Sequence, residues 1–469
     1  MYLMFRYLVS CFALMALFAK FAVGEELTPS SKPLNIVLIL TDDMGWMDLA
    51  CQGNSKLRTP HIDALATQGV RFTDAYAASP VCTPTRASLM TGLAPARLNI
   101  LQHGADRASF WPKDRKIQPP EIEHILPLER MTMAERLKAA GYATGFFGKW
   151  HLSGNRAKKN DPSTGGSAFY PDKQGFDVNL GGCGKGGPPT YFDPYKIPTL
   201  EPRKKGEYLS DRLADEAVNW MRANHKKPMF LSFWTYNPHW PFEAPAELIE
   251  KYKGKEGPGL INPIYGAQIE AVDRAVGRVL DELGKLGIAE NTLVIFSSDN
   301  GGWSGATDNT PLKKGKGYLY EGGVRVPLII RWPGVTQAGK TEAAPVVSMD
   351  LTATIFDAAG VSLKEGESLD GASLKPVLEG KKVARDPICI HYPHWSFHKD
   401  NRPGSTIRDG KYKLILRYDD DSVELYDLEA DLGEVNDLSK DLPKVAEGLK
   451  KKLDAWLEQT GAQRPTKLQ

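Results

Sequence analysis

NIVLILTDD, residues 35–43, decides the fold. Ile36 to Leu40 is an unbroken apolar run, so neither face of it suits water. It reads as a strand buried on both sides, and it ends on two adjacent carboxylates, Asp42 and Asp43. The pattern recurs along the chain. Ala143 to Phe147 leads into Gly148-Lys149-Trp150-His151. Pro228 to Thr235, PMFLSFWT, leads into Asn237-Pro238-His239, and Thr292 to Ser298 leads into Asp299-Asn300-Gly301. Val326 to Trp332 is a further strand. Between them lie helical patterns at Thr59–Gly69, Met131–Gly141, Glu207–Asn224, Tyr265–Leu286 and Asp350–Ala359. The first has Thr59 as N-cap, Pro60 at the first helical position and Gly69 as stop. Apolar strands alternating with amphipathic helices, with polar groups just after strand ends, predict an α/β sheet flanked by helices. Its site falls at the carboxyl edge of the strands.

From about Asp386 the texture changes. Pro387–Tyr392, Ser405–Arg408, Tyr412–Tyr418 and Val423–Leu428 read as short strands, with turns at Asp409–Lys411 and Asp419–Asp421. Pro443–Gln459 closes the chain as an amphipathic helix. The expectation is a catalytic domain over 34–385 and a smaller C-terminal α+β subdomain over 386–469, built on an antiparallel sheet. Residues 153–202, rich in Gly and Pro (GGCGKGGPP), carry no clear periodicity and read as a surface excursion near the site.

The N-terminus needs separate treatment. Residues 1–24, with Arg6, an apolar stretch and small residues up to Gly24, resemble a secretory signal followed by a linker over 25–33. Lys20 interrupts the apolar run, which is too short and polar for a good membrane span. The expectation is an exported protein, periplasmic or secreted, with no stable membrane insertion after signal removal. Arg6 and Lys20 leave with that segment, taking the 59 basic residues to 57 against 57 acidic ones. A neutral chain gives no support for nucleic-acid binding. Cys51, Cys82, Cys183 and Cys389 then remain. They allow two disulfides, or at most one if Cys82 has another task.

Five polar clusters stand out. Asp42-Asp43 repel unless a cation lies between them; taken alone they read as a helix N-cap plus a solvated acid. Asp299-Asn300 alone is only a turn. Together the two pairs supply three carboxylates and an amide oxygen, hard ligands suited to Ca²⁺ or Mg²⁺ and poor for zinc. The others are Lys149 with His151, His239, and Lys316 in KKGKGYLYEGG. Four of the five follow predicted strands and would converge on one sheet edge.

These residues carry a family resemblance. Cys82-Thr83-Pro84-Thr85-Arg86, followed by Ala-Ser-Leu-Met-Thr-Gly, resembles the signature of the type I, formylglycine-dependent sulfatases. TDDMGWMDLACQGN, GKWH, NPHWPF, SSDNGG and GKGYLYEGGVRVPLIIRWPG match that family in order, over about residues 34–335. The resemblance implies an alkaline phosphatase-like fold, with a mixed, mostly parallel sheet. It implies that a formylglycine-generating or anaerobic sulfatase-maturating enzyme oxidises Cys82 to formylglycine before folding finishes. The hydrated aldehyde then offers one hydroxyl as nucleophile and keeps the second to expel sulfate. It further implies one Ca²⁺ per chain on Asp42, Asp43, Asp299 and Asn300, with the modified Cys82 near it. Arg86 holds the hydrated aldehyde and Lys149 supports it and the sulfate. His239 and Lys316 bind sulfate and leaving-group oxygens, with His239 as general acid, and His151 takes the proton of the second hydroxyl.

For substrate, export and aromatic side chains point to a sulfated carbohydrate, of galactose or N-acetylgalactosamine type, in a polysaccharide or glycosaminoglycan. Candidate pocket residues are His103, Arg107, Trp111, Trp240, Trp303, and His394 with Trp395 in the run His391–Gly404. Alternatives are an arylsulfatase of broad specificity, a phosphodiester or phosphonate hydrolase, and a carbohydrate-binding pseudoenzyme. Asp299-Asn300 replaces the Asp-His of some formylglycine phosphonate and phosphodiester hydrolases, which favours sulfate.

Overall fold

The run that opened the reading is the centre of an eight-stranded sheet in the computed structural model of the chain. The structure describes residues 33–103, 108–154, 165–398 and 400–468; the signal-like segment and Arg107 lie outside them. Across the sheet the strands run Lys340–Glu342, Val70–Phe72, Leu328–Arg331, Thr292–Ser298, Asn35–Thr41, Met229–Trp234, Ala143–Gly148 and Val178–Leu180. Only Leu328–Arg331 is antiparallel to its neighbours. The other pairings are parallel.

Alternation along the central strand sends its side chains into two separate cores. Val37 and Ile39 pack with Ile62 and Leu65 of helix Pro60–Gln68, Leu213 and Ala217 of helix Leu209–Asn224, and Val272 and Val276 of helix Pro263–Lys285. Ile36, Leu38 and Leu40 pack on the opposite face. Their partners are Leu89 and Met90 of helix Cys82–Thr91, Met133 and Leu137 of helix Met133–Ala139, and Leu351 and Ile355 of helix Ser348–Ala359. Helices on both faces explain why the strand reads as continuously apolar.

Local signals act as expected in some places and are replaced in others. Helix Met133–Ala139 starts on a capping box between Thr132 and Glu135. Thr59 precedes helix Pro60–Gln68, yet its hydroxyl does not cap it. It accepts from the Ala50 N–H and donates to Asp63. Asp273, from another helix, accepts the free N–H groups of His61 and Ile62. Within the excursion 153–202 the chain forms the edge strand Val178–Leu180. Three half-buried residues carry no periodicity to read.

The C-terminal strands Ile388–Tyr392, Gly404–Asp409, Tyr412–Arg417 and Val423–Asp427 form an antiparallel sheet in that order. One face, with Ile390, Tyr392, Ile415 and Tyr426, shares a core with Tyr76, Val81 and Val324. The other, with Ile407, Leu414 and Leu425, is covered by Leu449, Leu453 and Leu457 of helix Pro443–Gln459. The change of architecture after 385 therefore falls inside a single unit running from Leu34 to Gln469. Cys51, Cys82, Cys183 and Cys389 are all free thiols.

Candidate active site

The carboxyl ends of four adjacent strands bring the clusters together. Asp42 and Asp43 follow the central strand, Asp299 and Asn300 follow Thr292–Ser298, Lys149 and His151 follow Ala143–Gly148, and His239 follows Met229–Trp234. Asp43 and His151 both take left-handed backbone, with φ of 65° and 60°, which re-aims their side chains immediately after the strands. Cys82 opens the helix Cys82–Thr91 and is fully buried.

Three buried cations bind three buried carboxylates. Lys149 Nζ donates to both oxygens of Asp42 at 2.8 Å. Arg86 Nε donates to Asp299 Oδ2 at 2.8 Å and its Nη1 to the Lys149 carbonyl at 2.7 Å. Lys316 Nζ donates to Asp43 Oδ2 at 2.8 Å. Asn300 Nδ2 donates to Asp43 Oδ1, and the Asp43 N–H donates to Asp299 Oδ1. Asn300 Oδ1 is buried and takes no hydrogen bond from the described residues.

That orphaned oxygen tests whether a cation fits. Ligand atoms of Asp42, Cys82 and Asp299 lie within 4.8 Å of one another, as do those of Asp42, Asp43 and His239. Burial pushes Asp42 well above the usual carboxylate range; Lys149 opposes this, while Asp299 and Asp43 add to it. Burial acts on Asp43 in the same direction, but Lys316 and His239 outweigh it and hold Asp43 low. A divalent ion facing Asn300 Oδ1 would satisfy the amide oxygen and relieve the mutual repulsion of the acids. The oxygen-rich donor set fits a hard cation.

The two histidines differ in what they face. His151 Nδ1 lies 3.3 Å from Cys82 Sγ and 3.1 Å from Thr83 Oγ1. Burial, then Lys149 and His103, holds its pKa well below the ordinary value, so it is a neutral base next to Cys82. His239 Nδ1 is 2.7 Å from the Trp240 carbonyl. That contact makes Nδ1 the donor and leaves Nε2 facing Asp43 at 3.7 Å. Burial and Lys316 lower His239 to about 3. Burial also raises the Cys82 thiol, against the pull of Lys149 and Lys316. An unmodified thiol here stays protonated and is a poor nucleophile.

The Gly-rich excursion does come to the site. A Cβ on Gly186 would stand 2.8 Å from the His151 ring, and one on Gly187 2.9 Å from His239 Nδ1. Only glycine lets this wall approach both imidazoles so closely.

The proposed pocket residues divide. Trp240, 63% exposed, stands beside His239. Trp303 stacks on Phe242 at 5.6 Å. Trp111 is half-buried under the Arg115 guanidinium. His103 is edge-on to Phe397 at 5.9 Å, and Lys316 and Lys149 are among the charges it feels. His394 and Trp395 are buried, Trp395 among Ile407, Leu414 and Leu416, so neither offers a ring face to a ligand. His398, in the same run, approaches instead: its ring packs against Gly317, next to Lys316. Nothing in the sequence separates His398 from the other histidines of that run. Thr83, on the His151 ring, was equally unsignalled.

Comparison with known proteins places this geometry among relatives. The family model described as Sulfatase matches residues 34–361. The model described as N-sulphoglucosamine sulphohydrolase, C-terminal, matches residues 314–463. The chain is similar to arylsulfatase A of Homo sapiens, 34% identical over 415 residues, covering 82% of this chain and 75% of that protein. It is also similar to N-acetylgalactosamine-6-sulfatase of Mus musculus, 33% identical over 400 residues, covering 79% and 71%. Among solved structures, Ps i-CgsB in complex with k-i-k-neocarrahexaose has a TM-score of 0.75 at 29% identity, covering 91% of this chain and 93% of that one.

Proposed function

Because the chain belongs to the sulfatase family of sulfuric ester hydrolases, we propose that it removes sulfate from sulfated carbohydrate, using formylglycine made from Cys82 and one Ca²⁺. One observation carries the reading. Three carboxylates, three cations, an unsatisfied amide oxygen and Cys82 meet at the ends of four adjacent strands. Asp42, Asp43, Asp299 and Asn300 are the residues to hold calcium. Bound there, the ion supplies positive charge that offsets the anionic ester. Cys82 has no exposed surface, so the maturating enzyme must act before folding closes over it. Hydrated formylglycine supplies a nucleophilic hydroxyl and a spare one.

The chain's own groups do the rest. Arg86 and Lys149 fix the position of residue 82 and neutralise charge around it. Lys316, buried, and His239, partly exposed, both flank Asp43 and are the groups we assign to sulfate and leaving-group oxygens. An anionic ester docked beside His239 Nε2 favours its protonated form, which is what a general acid needs. His151, held neutral against residue 82, is the base for the spare hydroxyl. We place the enzyme outside the cytoplasm on the strength of residues 1–24. Among the described residues no helix is long and apolar enough to cross a membrane.

The carbohydrate reading rests on exposed Trp240 beside His239, on Trp303 and His103, and on relatives named for an amino sugar and solved with an oligosaccharide. We favour galactose or N-acetylgalactosamine units of a polysaccharide or glycosaminoglycan. Similarity to an arylsulfatase favours a second reading, broad action on small aryl sulfates. Free sulfate measured from a panel of defined sulfated oligosaccharides decides between them. Turnover of aryl esters alone would rule out the sugar reading. Mass spectrometry of the Cys82 peptide tests the modification directly, and an unmodified thiol in active enzyme would end it.

The acid role yields a separate expectation. His239→Ala should lower kcat/KM for sulfated sugars by about 10²–10⁴-fold. Loss on 4-nitrophenyl sulfate should be far smaller, because a phenolate leaves with little protonation. Equal losses on both substrates would contradict the assignment.

A further inference from the structure

Lys316 sits on a loop, Lys313–Glu321, that the C-terminal segment holds at three points. At its start, Lys313 Nζ donates to the Glu434 carbonyl at 2.7 Å and lies over the rings of Tyr320 and Tyr426. In its middle, Asn401 Nδ2 donates to the Gly317 carbonyl, and the His398 ring packs on Gly317. At its end, the Glu321 N–H donates to Glu434 Oε2 at 2.7 Å. Lys413 Nζ stands 2.8 Å from both Glu321 Oε1 and Glu434 Oε1. Glu321, Glu434 and Lys413 are almost wholly buried. The other face of the loop meets the entry to the Cys82 helix, where the Gly317 N–H donates to the Pro80 carbonyl at 2.8 Å.

We propose that Glu434, on the C-terminal segment, is the positioning residue for Lys316, and that its ionised carboxylate is the form that holds the loop. Glu434 carries two jobs on two oxygens. Oε2 accepts the Glu321 N–H, and Oε1, which takes no hydrogen bond from the described residues, pairs in charge with the Lys413 ammonium at 2.8 Å. A proton on Oε2 removes the acceptor for the Glu321 N–H and frees that end of the loop, and a proton on Oε1 removes the negative charge that holds Lys413 against both glutamates.

The surroundings set where this happens. Lys413 and Glu321 face Glu434 directly, Tyr426 and Lys313 lie beside it, and Arg325, Arg408 and Tyr76 hold the far side of Glu321. Burial, opposed by Lys413 and reinforced by Glu321, lifts Glu434 to about 7. The catalytic rate should therefore rise as pH rises through about 7, as the loop tightens.

A double-mutant cycle on hydrolysis of 4-nitrophenyl sulfate by the matured full chain tests this and does not depend on the sugar reading. It does rest on Lys316 as a sulfate-binding group, which Lys316→Ala tests by itself. Glu434→Gln offers only one acceptor, so it mimics the protonated form. It should lower kcat/KM by about tenfold and remove the rising limb near pH 7. In the Lys316→Ala background it should cost nothing further. If Lys316→Ala alone is harmless, the assignment of Lys316 fails. If Lys316→Ala is damaging but Glu434→Gln costs the same factor in both backgrounds, or leaves the limb intact, the positioning role is overturned. Should Glu434→Gln not fold, Asn401→Ala, which cuts the tie at Gly317, is run through the same cycle. Equal cost in both backgrounds then overturns the proposal.

Discussion

Cys82→Ser should release no free sulfate and at most one equivalent of alcohol per chain, a loss of turnover on the order of 10⁶-fold. Serine is nearly isosteric with cysteine, so the buried helix start should keep its packing and the thermal midpoint should hardly move. One hydroxyl remains at the position that the cations surround. Arg86 and Lys149 still neutralise charge there, so attack on an ester is not forbidden. What disappears is the second hydroxyl, and with it the means of expelling sulfate. The variant should accumulate as an O-sulfated serine, visible in the intact mass, in a host that does not oxidise serine. That trapped adduct separates a chemical block from misfolding. Sustained turnover by the Cys82→Ser variant with its serine unoxidised would show that the hydrated aldehyde is not required.

The part of this site that could be read in advance is the part written next to strands. Runs such as Ile36–Leu40 are apolar because helices cover both faces of the sheet, and the polar residue after each run marks the carboxyl edge. Adjacency in the sheet then joins Asp42 to Asp299, Lys149 and His239, although the chain separates them by up to 257 positions. The three-residue strands Lys340–Glu342 and Val178–Leu180 were not legible, because half-buried edges need no periodic pattern. Nor was the cap on helix Pro60–Gln68, since Asp273 does from a distant helix what Thr59 does locally in other proteins. His398, Asn401 and Glu434 reach the loop of Lys316 from the C-terminal segment. Each is an ordinary polar residue in sequence and acquires its place only through the packing of the antiparallel sheet on Tyr76, Val81 and Val324. Trp395 shows the converse: an aromatic in a His-rich run looks like a sugar platform, and the hydrophobic core of the small sheet takes it instead.

Asp299→Ala should lose bound calcium and activity together, with a fall in stability that neither loss alone explains. Asp299 has two oxygens with separate duties. Oδ2 accepts from Arg86 Nε at 2.8 Å and lies 2.7 Å from its Nη2, while Oδ1 accepts the Asp43 N–H at 3.2 Å. Alanine leaves the Arg86 guanidinium fully buried, with Asp42 at 3.8 Å as its remaining carboxylate. Stranding a buried charge in this way costs about 3–5 kcal/mol. It also removes one of the three carboxylates of the proposed cation site and leaves residue 82 without a fixed Arg86. Activity should fall by at least about 10³-fold, since charge stabilisation and the placement of residue 82 go at once. Asp299→Asn separates the effects. The amide keeps the shape and an acceptor for Arg86, so most of the stability should return, while calcium affinity and turnover should stay low for want of the negative charge. Metal content by elemental analysis, unfolding by denaturant and sulfate release, all on one preparation, give the three readings. If Asp299→Ala still binds one calcium per chain and turns over normally, then the acids at the strand ends are not a metal site and Arg86 is not held for catalysis.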